Sequence, residues 1–184
     1  MTSTKSPFPR LHGRVASSNP YWKYCIDRYA LPSGEERDYH FMQSPGSVLV
    51  LPMLQDGSFL LVRQFRYIQQ KWGFEFPGGG KKSHLSSQEN AQEELREEVG
   101  YQANNWSLLG SFSPCVGLLD EYCDVYLAQD LRAAEWSPED SELIEIVTLT
   151  ESQVDEAIAR GEMWSGMSQV VWLQYKLWAS KQQK

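Results

Sequence analysis

The sequence predicts an α+β fold, a layered sandwich in which strands and helices are interspersed along the chain. Two observations support this. Several β-prone segments are separated by turn residues, and the clearest pair, residues 47–54 and 58–66, flanks Asp56-Gly57, a typical hairpin turn. Helical patterns begin only at about residue 86, and they are separated by further strand candidates.

An N-terminal hairpin is predicted ahead of the main sheet. Residues 21–31 and 36–42 have strand character and flank the turn residues 32–34. The first nine residues are polar, and we expect them to be loosely held. We therefore divide the chain into an N-terminal hairpin segment, 1–45, and a main domain, 46–184. Further strands are predicted at residues 106–113, 121–128 and 143–149.

Three helices are predicted in the second half of the chain. Residues 86–99 and 150–160 each begin with the spacing of a capping box, and each is followed by a glycine that ends the helix. The capping pairs are Ser86 with Glu89 and Thr150 with Gln153, and the glycines are Gly100 and Gly161. Residues 166–181 carry apolar side chains at helical spacing, which indicates core packing rather than a cofactor site.

The composition and net charge of the chain limit the partners and the setting that we expect. The net charge of -7 argues against nucleic acid as a partner, but a bound metal would still allow a small phosphate substrate. No apolar run is long enough to span a membrane, and no secretory signal is visible. The three cysteines have no metal-ligand spacing and leave an odd count, so we expect a reducing cytoplasmic setting. Most of the 23 aromatic residues are expected in the core or an interface, and Trp22 is a candidate to stack on a base.

The segment that suggests chemistry is a short acidic helix. Glu94, Glu97 and Glu98 lie at i, i+3 and i+4, so they share one face about 5–6 Å apart. Such like charges repel, and a hard cation such as Mg²⁺ or Mn²⁺ would offset the repulsion. Taken alone, the pattern is more typical of a solvated surface helix.

A glycine-rich loop precedes this helix and changes that balance. The run Pro77-Gly78-Gly79-Gly80 allows backbone to approach a ligand closely, and the carbonyl of Gly79 is a candidate metal ligand. Lys81 and Lys82 follow the loop, and no role beyond surface charge is assigned to them.

Residues 74–101 resemble the Nudix box, G-x5-E-x7-R-E-U-x-E-E-x-G-U, in which U is a bulky apolar residue. The matching residues are Gly79, Glu94, Leu95, Glu97, Glu98, Gly100 and Tyr101. Two positions depart, since Leu85 stands where the family has Glu and Glu93 where it has Arg. The family's ion pair between these positions is therefore absent. We expect Leu85 to pack and Glu93 to pair with Arg96.

The wider chain is similar to the ADP-ribose and nucleoside-diphosphate-sugar pyrophosphatase branch of that family, through residues 61–66, 75–78 and 113–121. The resemblance implies a Nudix-like α/β/α sandwich with a mixed central sheet. It implies substrate contacts and a catalytic carboxylate from the following residues. The substrate contacts are Arg66, Glu75, Pro114 and Glu121, and the candidates for metal binding or base catalysis are Glu142 and Asp140. An exposed acidic turn before a strand would explain Asp140 and Glu142 equally well.

The function implied is metal-dependent hydrolysis of the diphosphate bond in a small nucleotide such as ADP-ribose or a nucleotide sugar. Glu94, Glu97, Glu98 and the Gly79 carbonyl would hold the metal. The resemblance also implies a homodimer formed through the N-terminal segment. The departures at Leu85 and Glu93 leave an alternative open, a non-catalytic nucleotide-binding domain that acts as a sensor or scaffold.

Overall fold

The computed structural model describes residues 6–137 and 143–182, and residue contacts divide the chain into two units. The first unit comprises the chain up to Gly46 together with Ser113–Tyr122. The second comprises Ser47–Phe112 and Cys123–Lys184. The strands are β1 (Arg10–Ser18), β2 (Lys23–Ala30), β3 (Glu36–Gln43), β4 (Ser47–Pro52), β5 (Phe59–Arg66), β6 (Lys71–Glu75), β7 (Gly78–Gly80), β8 (Tyr101–Phe112), β9 (Leu119–Asp120), β10 (Cys123–Ala133) and β11 (Ile144–Leu149). The helices are α1 (Ser87–Val99), α2 (Glu151–Ala159) and α3 (Gly166–Gln182).

The first unit is a four-stranded sheet in the order β1-β2-β3-β9. The predicted hairpin is confirmed, because β2 and β3 pair antiparallel from Lys23 opposite Gln43 to Ala30 opposite Glu36. Strand β1 was not predicted. Every one of its residues is exposed, so it shows no alternation of buried and exposed side chains for the sequence to reveal.

The second unit contains a mixed sheet in the order β7-β4-β10-β8. Strands β4 and β10 are parallel, and the other pairs are antiparallel. A three-stranded antiparallel sheet, β11-β5-β6, completes the unit.

Strand β4 is buried on both faces because helices cover both of them. Val48 and Val50 pack with Leu95 of α1, whereas the intervening Leu49 and Leu51 belong to a second cluster that includes Trp172 of α3. The predicted α/β/α sandwich with a mixed sheet is therefore confirmed.

The turn at Asp56-Gly57 forms as predicted, with Gly57 at φ +83° and the backbone N–H of Ser58 donating to Asp56 at 2.9 Å. The flanking strands do not form a continuous hairpin, however. Only Met53 and Phe59 form a bridge, after which β4 and β5 enter different sheets. Pro52 has no N–H, so it cannot extend the ladder by donating a hydrogen bond.

Helices α1 and α2 begin as predicted. The side chains of Ser86 and Thr150 each accept a hydrogen bond from the backbone three residues on, and both capping boxes are complete. Helix α1 ends at Gly100, which has φ +68°. Among the described residues, no helix is long and apolar enough to cross a membrane.

Candidate metal and diphosphate site

The glycine-rich loop forms a short strand, β7, which pairs with β4. Gly78 has φ +154°, and a Cβ built there would lie 2.2 Å from the carbonyl oxygen of Val48. A side chain is therefore excluded by both conformation and space. The result is a glycine backbone held directly against the central sheet.

The acidic face of α1 lies beside this backbone. A Cβ built at Gly79 would lie 2.6 Å from Oε1 of Glu94, so the carboxylate occupies the space that a side chain would need. The carboxylate of Glu98 is buried, and its Oε2 accepts a hydrogen bond of 3.0 Å from the backbone N–H of Gly78. Two of the predicted acidic residues are thus held against two neighbouring glycines.

Glu97 has different partners. Its Oε1 lies 3.1 Å from Nη2 of Arg96 and 3.8 Å from Nζ of Lys82. The predicted pairing of Glu93 with Arg96 is wrong. Glu93 pairs with Lys82 at 2.5 Å, while Arg96 contacts Glu97 and donates to Ser137 at 3.0 Å.

The sequence predicted only a surface charge at Lys82, but the structure gives this residue specific partners. Its hydrogen bond with Glu93 raises its pKa, with smaller contributions from the neighbouring carboxylates. Its backbone N–H donates to Oδ1 of Asn90 at 2.7 Å, and Asn90 is only 2% exposed. The sequence contained no local signal for this pairing, because Lys82 and Glu93 are 11 residues apart and belong to different elements.

Lys81 takes part in a second polar cluster. Its Nζ lies 2.7 Å from Oδ2 of Asp124. The same Oδ2 accepts a hydrogen bond from the hydroxyl of Ser87, and Oδ1 accepts one from the hydroxyl of Ser111. Burial alone would raise the pKa of Asp124, but the hydrogen bonds from Lys81, Ser111 and Ser87 outweigh it and hold that pKa below its ordinary value. Asp124 was not predicted as part of the site, because it lies 43 residues from Lys81.

The chemical type of the candidate ligands fits a hard divalent cation, because they are carboxylate oxygens beside a glycine backbone. Within residues 6–137 and 143–182, however, no three His, Cys, Asp or Glu side chains form a group that could hold a metal ion. Two cations of the protein, Arg96 and Lys82, lie beside the Glu97 carboxylate in this structure. Glu142 and Asp140 lie outside the described residues.

Arg66 and Glu75, predicted to contact substrate, form a bidentate ion pair with each other. Nε and Nη2 of Arg66 each lie 2.8 Å from a different carboxylate oxygen of Glu75. The Glu75 side chain is 9% exposed and the Arg66 side chain 43% exposed. The carboxylate therefore holds the guanidinium in one orientation while leaving part of it accessible.

The remaining candidates lie in the first unit. Trp22 immediately precedes β2, and its backbone N–H donates to Oδ1 of Asn19 at 2.8 Å. Pro114 and Glu121 stand on either side of β9. Their contact with a substrate stays a prediction.

The two positions that depart from the Nudix box line an open groove of about 540 Å³. Leu85 and Glu93 share this groove with Arg96, Trp106 and Arg132, among others. Leu85 is half-buried, and Glu94, Glu97 and Glu98 do not line the groove.

The sequence of the chain matches a protein-family model that includes this region. The model of the NUDIX domain matches residues 43–171, which is more than half of the chain. The chain belongs to the Nudix family. The predicted family is thereby confirmed, and the match includes both the glycine strand and the acidic helix.

The chain is also similar to individual curated proteins. The CMP-5'-(N-acetyl-N-hydroxy-3-aminopropyl)phosphonate hydrolase of Streptomyces rubellomurinus is 28% identical over 115 residues, 62% of this chain and 56% of that protein. The chain thus matches little more than half the length of that relative. The ADP-ribose pyrophosphatase of Bacillus subtilis is 29% identical over 142 residues, 74% of this chain and 77% of that protein.

The fold is shared with a solved structure. The crystal structure of an ADP compounds hydrolase superposes with a TM-score of 0.84 at 18% identity, covering 96% of each chain. The Nudix fold is therefore shown.

Proposed function

We propose that this Nudix protein hydrolyses the diphosphate bond of a nucleoside diphosphate linked to a second group, as in ADP-ribose or a nucleotide sugar. One observation carries the proposal. The carboxylates of Glu94 and Glu98 are held against Gly79 and Gly78, on the helix face that also carries Glu97. The name of the Bacillus subtilis relative, an ADP-ribose pyrophosphatase, supports this substrate class, and it favours hydrolysis over the alternative of a non-catalytic nucleotide-binding domain.

Glu94, Glu97, Glu98 and the Gly79 carbonyl would hold Mg²⁺ or Mn²⁺. The ion would neutralise phosphate charge and lower the pKa of a bound water molecule. The protein's own part is to carry the three glutamates on one face of a helix that is fixed to the core through Leu95 and Val99. One of the helix carboxylates, or Glu142, would accept the proton of the attacking water.

Arg66 is the proposed phosphate clamp. Its bidentate contact with Glu75 fixes the plane of the guanidinium, which therefore loses little freedom when it binds an anion. Trp22, Pro114 and Glu121 are proposed as further substrate contacts on the resemblance alone.

A second copy of this chain is the proposed partner, with the N-terminal segment 1–45 as the dimerisation element. Strand β1 supports this proposal because Leu11 and Val15 are exposed on it. A reducing, cytoplasmic setting is also proposed, on the odd number of cysteines and their lack of metal-ligand spacing.

The test is a substrate panel with product identification. The protein is incubated with Mg²⁺ and ADP-ribose, GDP-mannose or a dinucleoside polyphosphate, and release of a nucleoside monophosphate is measured. Glu98→Gln should reduce the rate of release by about a hundredfold or more, whereas Glu156→Gln, the same change in an exposed ion pair on α2, should leave it unchanged. The proposal fails if wild type and Glu98→Gln behave alike on every substrate. Saturable binding without turnover would favour the non-catalytic alternative.

A further inference from the structure

Lys82, in the loop between β7 and α1, contacts the helix at three points. Its backbone N–H donates to Asn90 at 2.7 Å. Its ammonium lies 2.5 Å from Oε2 of Glu93 and 3.8 Å from Oε1 of Glu97. The side chain therefore bridges two carboxylates one turn apart on the helix.

The backbone of Lys82 is fixed independently of its charge. Asn90 is 2% exposed, accepts the Lys82 N–H, and donates to the carbonyl oxygens of Lys82 and Ser86 at 3.4 and 2.9 Å. Because the backbone is already anchored, the part of Lys82 still free to move is its side chain. Glu93 provides the nearest contact that holds the ammonium in place.

Glu97 lies at the end of this arrangement. Its Oε1 contacts Arg96 at 3.1 Å as well as Lys82, so two cations restrict the side-chain rotation of a residue that would otherwise be mobile. Neither Lys82 nor Glu93 is among the proposed metal ligands. Glu97 is the proposed ligand to which this ion pair is connected, through the Lys82 ammonium.

We propose that the Lys82–Glu93 ion pair is a positioning device, in which Glu93 fixes the Lys82 ammonium and Lys82 orients the carboxylate of Glu97 for divalent-metal binding. This inference rests on the proposed function, because it takes Glu97 as a metal ligand. Lys82 and Glu93 are positioning residues, and neither is required to touch metal or substrate.

Single substitutions to a neutral residue distinguish a positioning effect on Glu97 from a purely electrostatic effect on metal affinity. Lys82→Gln removes a positive charge near the site and Glu93→Gln removes a negative one. A charge effect alone would tighten Mn²⁺ binding in the first variant and weaken it in the second. Positioning predicts that both variants bind Mn²⁺ more weakly, by about two- to fivefold for a partly exposed pair.

Mn²⁺ affinity is measured by electron paramagnetic resonance on the full-length protein at fixed ionic strength. The double variant Lys82→Gln/Glu93→Gln should bind no more weakly than the weaker single variant, because each change already breaks the same pair. Lys82→Arg, which keeps the charge and can still reach Glu93, should restore most of the affinity. Effects of opposite sign in the two single variants, or additive losses in the double variant, would overturn the inference.

The chain offers a matched control pair. Nζ of Lys176 lies 2.5 Å from Glu151, and the two side chains are 38% and 52% exposed, compared with 45% and 37% for Lys82 and Glu93. Lys176→Gln and Glu151→Gln should lower the melting temperature about as much as the test variants while leaving Mn²⁺ affinity unchanged. Equal losses of affinity in the control variants would contradict a positioning role.

Failure of the inference is distinguishable from failure of the proposed function. If wild type hydrolyses a substrate but Lys82→Gln and Glu93→Gln bind Mn²⁺ as wild type does, only the positioning role is wrong. If wild type binds Mn²⁺ but hydrolyses no substrate on the panel, the function is wrong and the affinities still decide the role of the pair. Absence of Mn²⁺ binding by wild type overturns both.

Discussion

The carboxylate of Glu98 accepts a 3.0 Å hydrogen bond from the backbone N–H of Gly78, which joins the acidic helix to the glycine strand that precedes it. The carboxylate is buried, and Gly78 is itself fixed against Val48 of the central sheet. These two residues therefore fix the position of helix α1 relative to the core of the Nudix fold. A loss of this contact should therefore affect both stability and the proposed site.

Glu98→Ala should destabilise the protein by about 1–3 kcal/mol, because the Gly78 N–H would lose its partner in a partly buried location. Glu98→Gln keeps an oxygen that can accept the bond and should cost less stability. Both variants should lose about a hundredfold or more in hydrolysis, since neither retains a carboxylate. Chemical denaturation and steady-state kinetics separate the two effects, and equal stability loss in both variants would contradict the hydrogen-bond argument.

Gly79→Ala should impair hydrolysis more than it impairs folding. The new Cβ would lie 2.6 Å from Oε1 of Glu94, and the end of that side chain can move away, at the cost of its position. Gly80→Ala is the matched control, because a Cβ at that neighbouring position meets nothing within 4 Å. We expect roughly a tenfold or greater loss of kcat/KM for Gly79→Ala, about 1.4 kcal/mol, and little change for Gly80→Ala. Similar kinetics for both would contradict the close contact with Glu94.

Gly78→Ala should be a folding defect. Its Cβ would lie 2.2 Å from the backbone carbonyl of Val48, which cannot rotate away as a side chain can, and its φ of +154° disfavours any side chain. A destabilisation of about 2–4 kcal/mol is expected, within the range of strongly strained substitutions. The melting temperature measures it, with Gly80→Ala again as the control, and an unchanged value would show that β7 is not fixed against β4 as described.

Asp124 should contribute stability that depends on pH. Its pKa is held below the ordinary value of 3.8, so the native state resists protonating it more than the unfolded chain does. The contribution is full above the unfolded pKa and is lost as pH falls through the lower folded pKa. Asp124→Asn should therefore be less stable than wild type at pH 6, and the difference should shrink on acidification toward pH 3. Denaturation at several pH values measures this, and a constant difference would contradict it.

The features that the sequence predicted correctly depend on local signals. Helix α1 was predicted with both its ends, because the Ser86 capping box and the glycine at position 100 act within a few residues. The acidic face and the glycine run were visible for the same reason. Their family assignment followed from the spacing between them.

The features that were missed depend on contacts made only in the folded chain. The partner of Glu93 proved to be Lys82 rather than Arg96, because the loop brings the lysine across the helix face. Asp124, which lies far from Lys81 in the sequence on strand β10 of the central sheet, forms an ion pair with that lysine. Strand β1 was not predicted because its backbone pairs with β2 while all of its residues are exposed. No local propensity encodes any of these three.

Direct titration with Mn²⁺ tests the central claim, that the acidic face of α1 binds divalent metal. Wild type is compared by electron paramagnetic resonance with the variant Glu94→Gln/Glu97→Gln/Glu98→Gln and with Glu156→Gln as a control on α2. The account predicts saturable binding by wild type and by the control, with affinity reduced at least about tenfold in the triple variant, a change of about 1.4 kcal/mol. Equal Mn²⁺ affinity in wild type and the triple variant would contradict it.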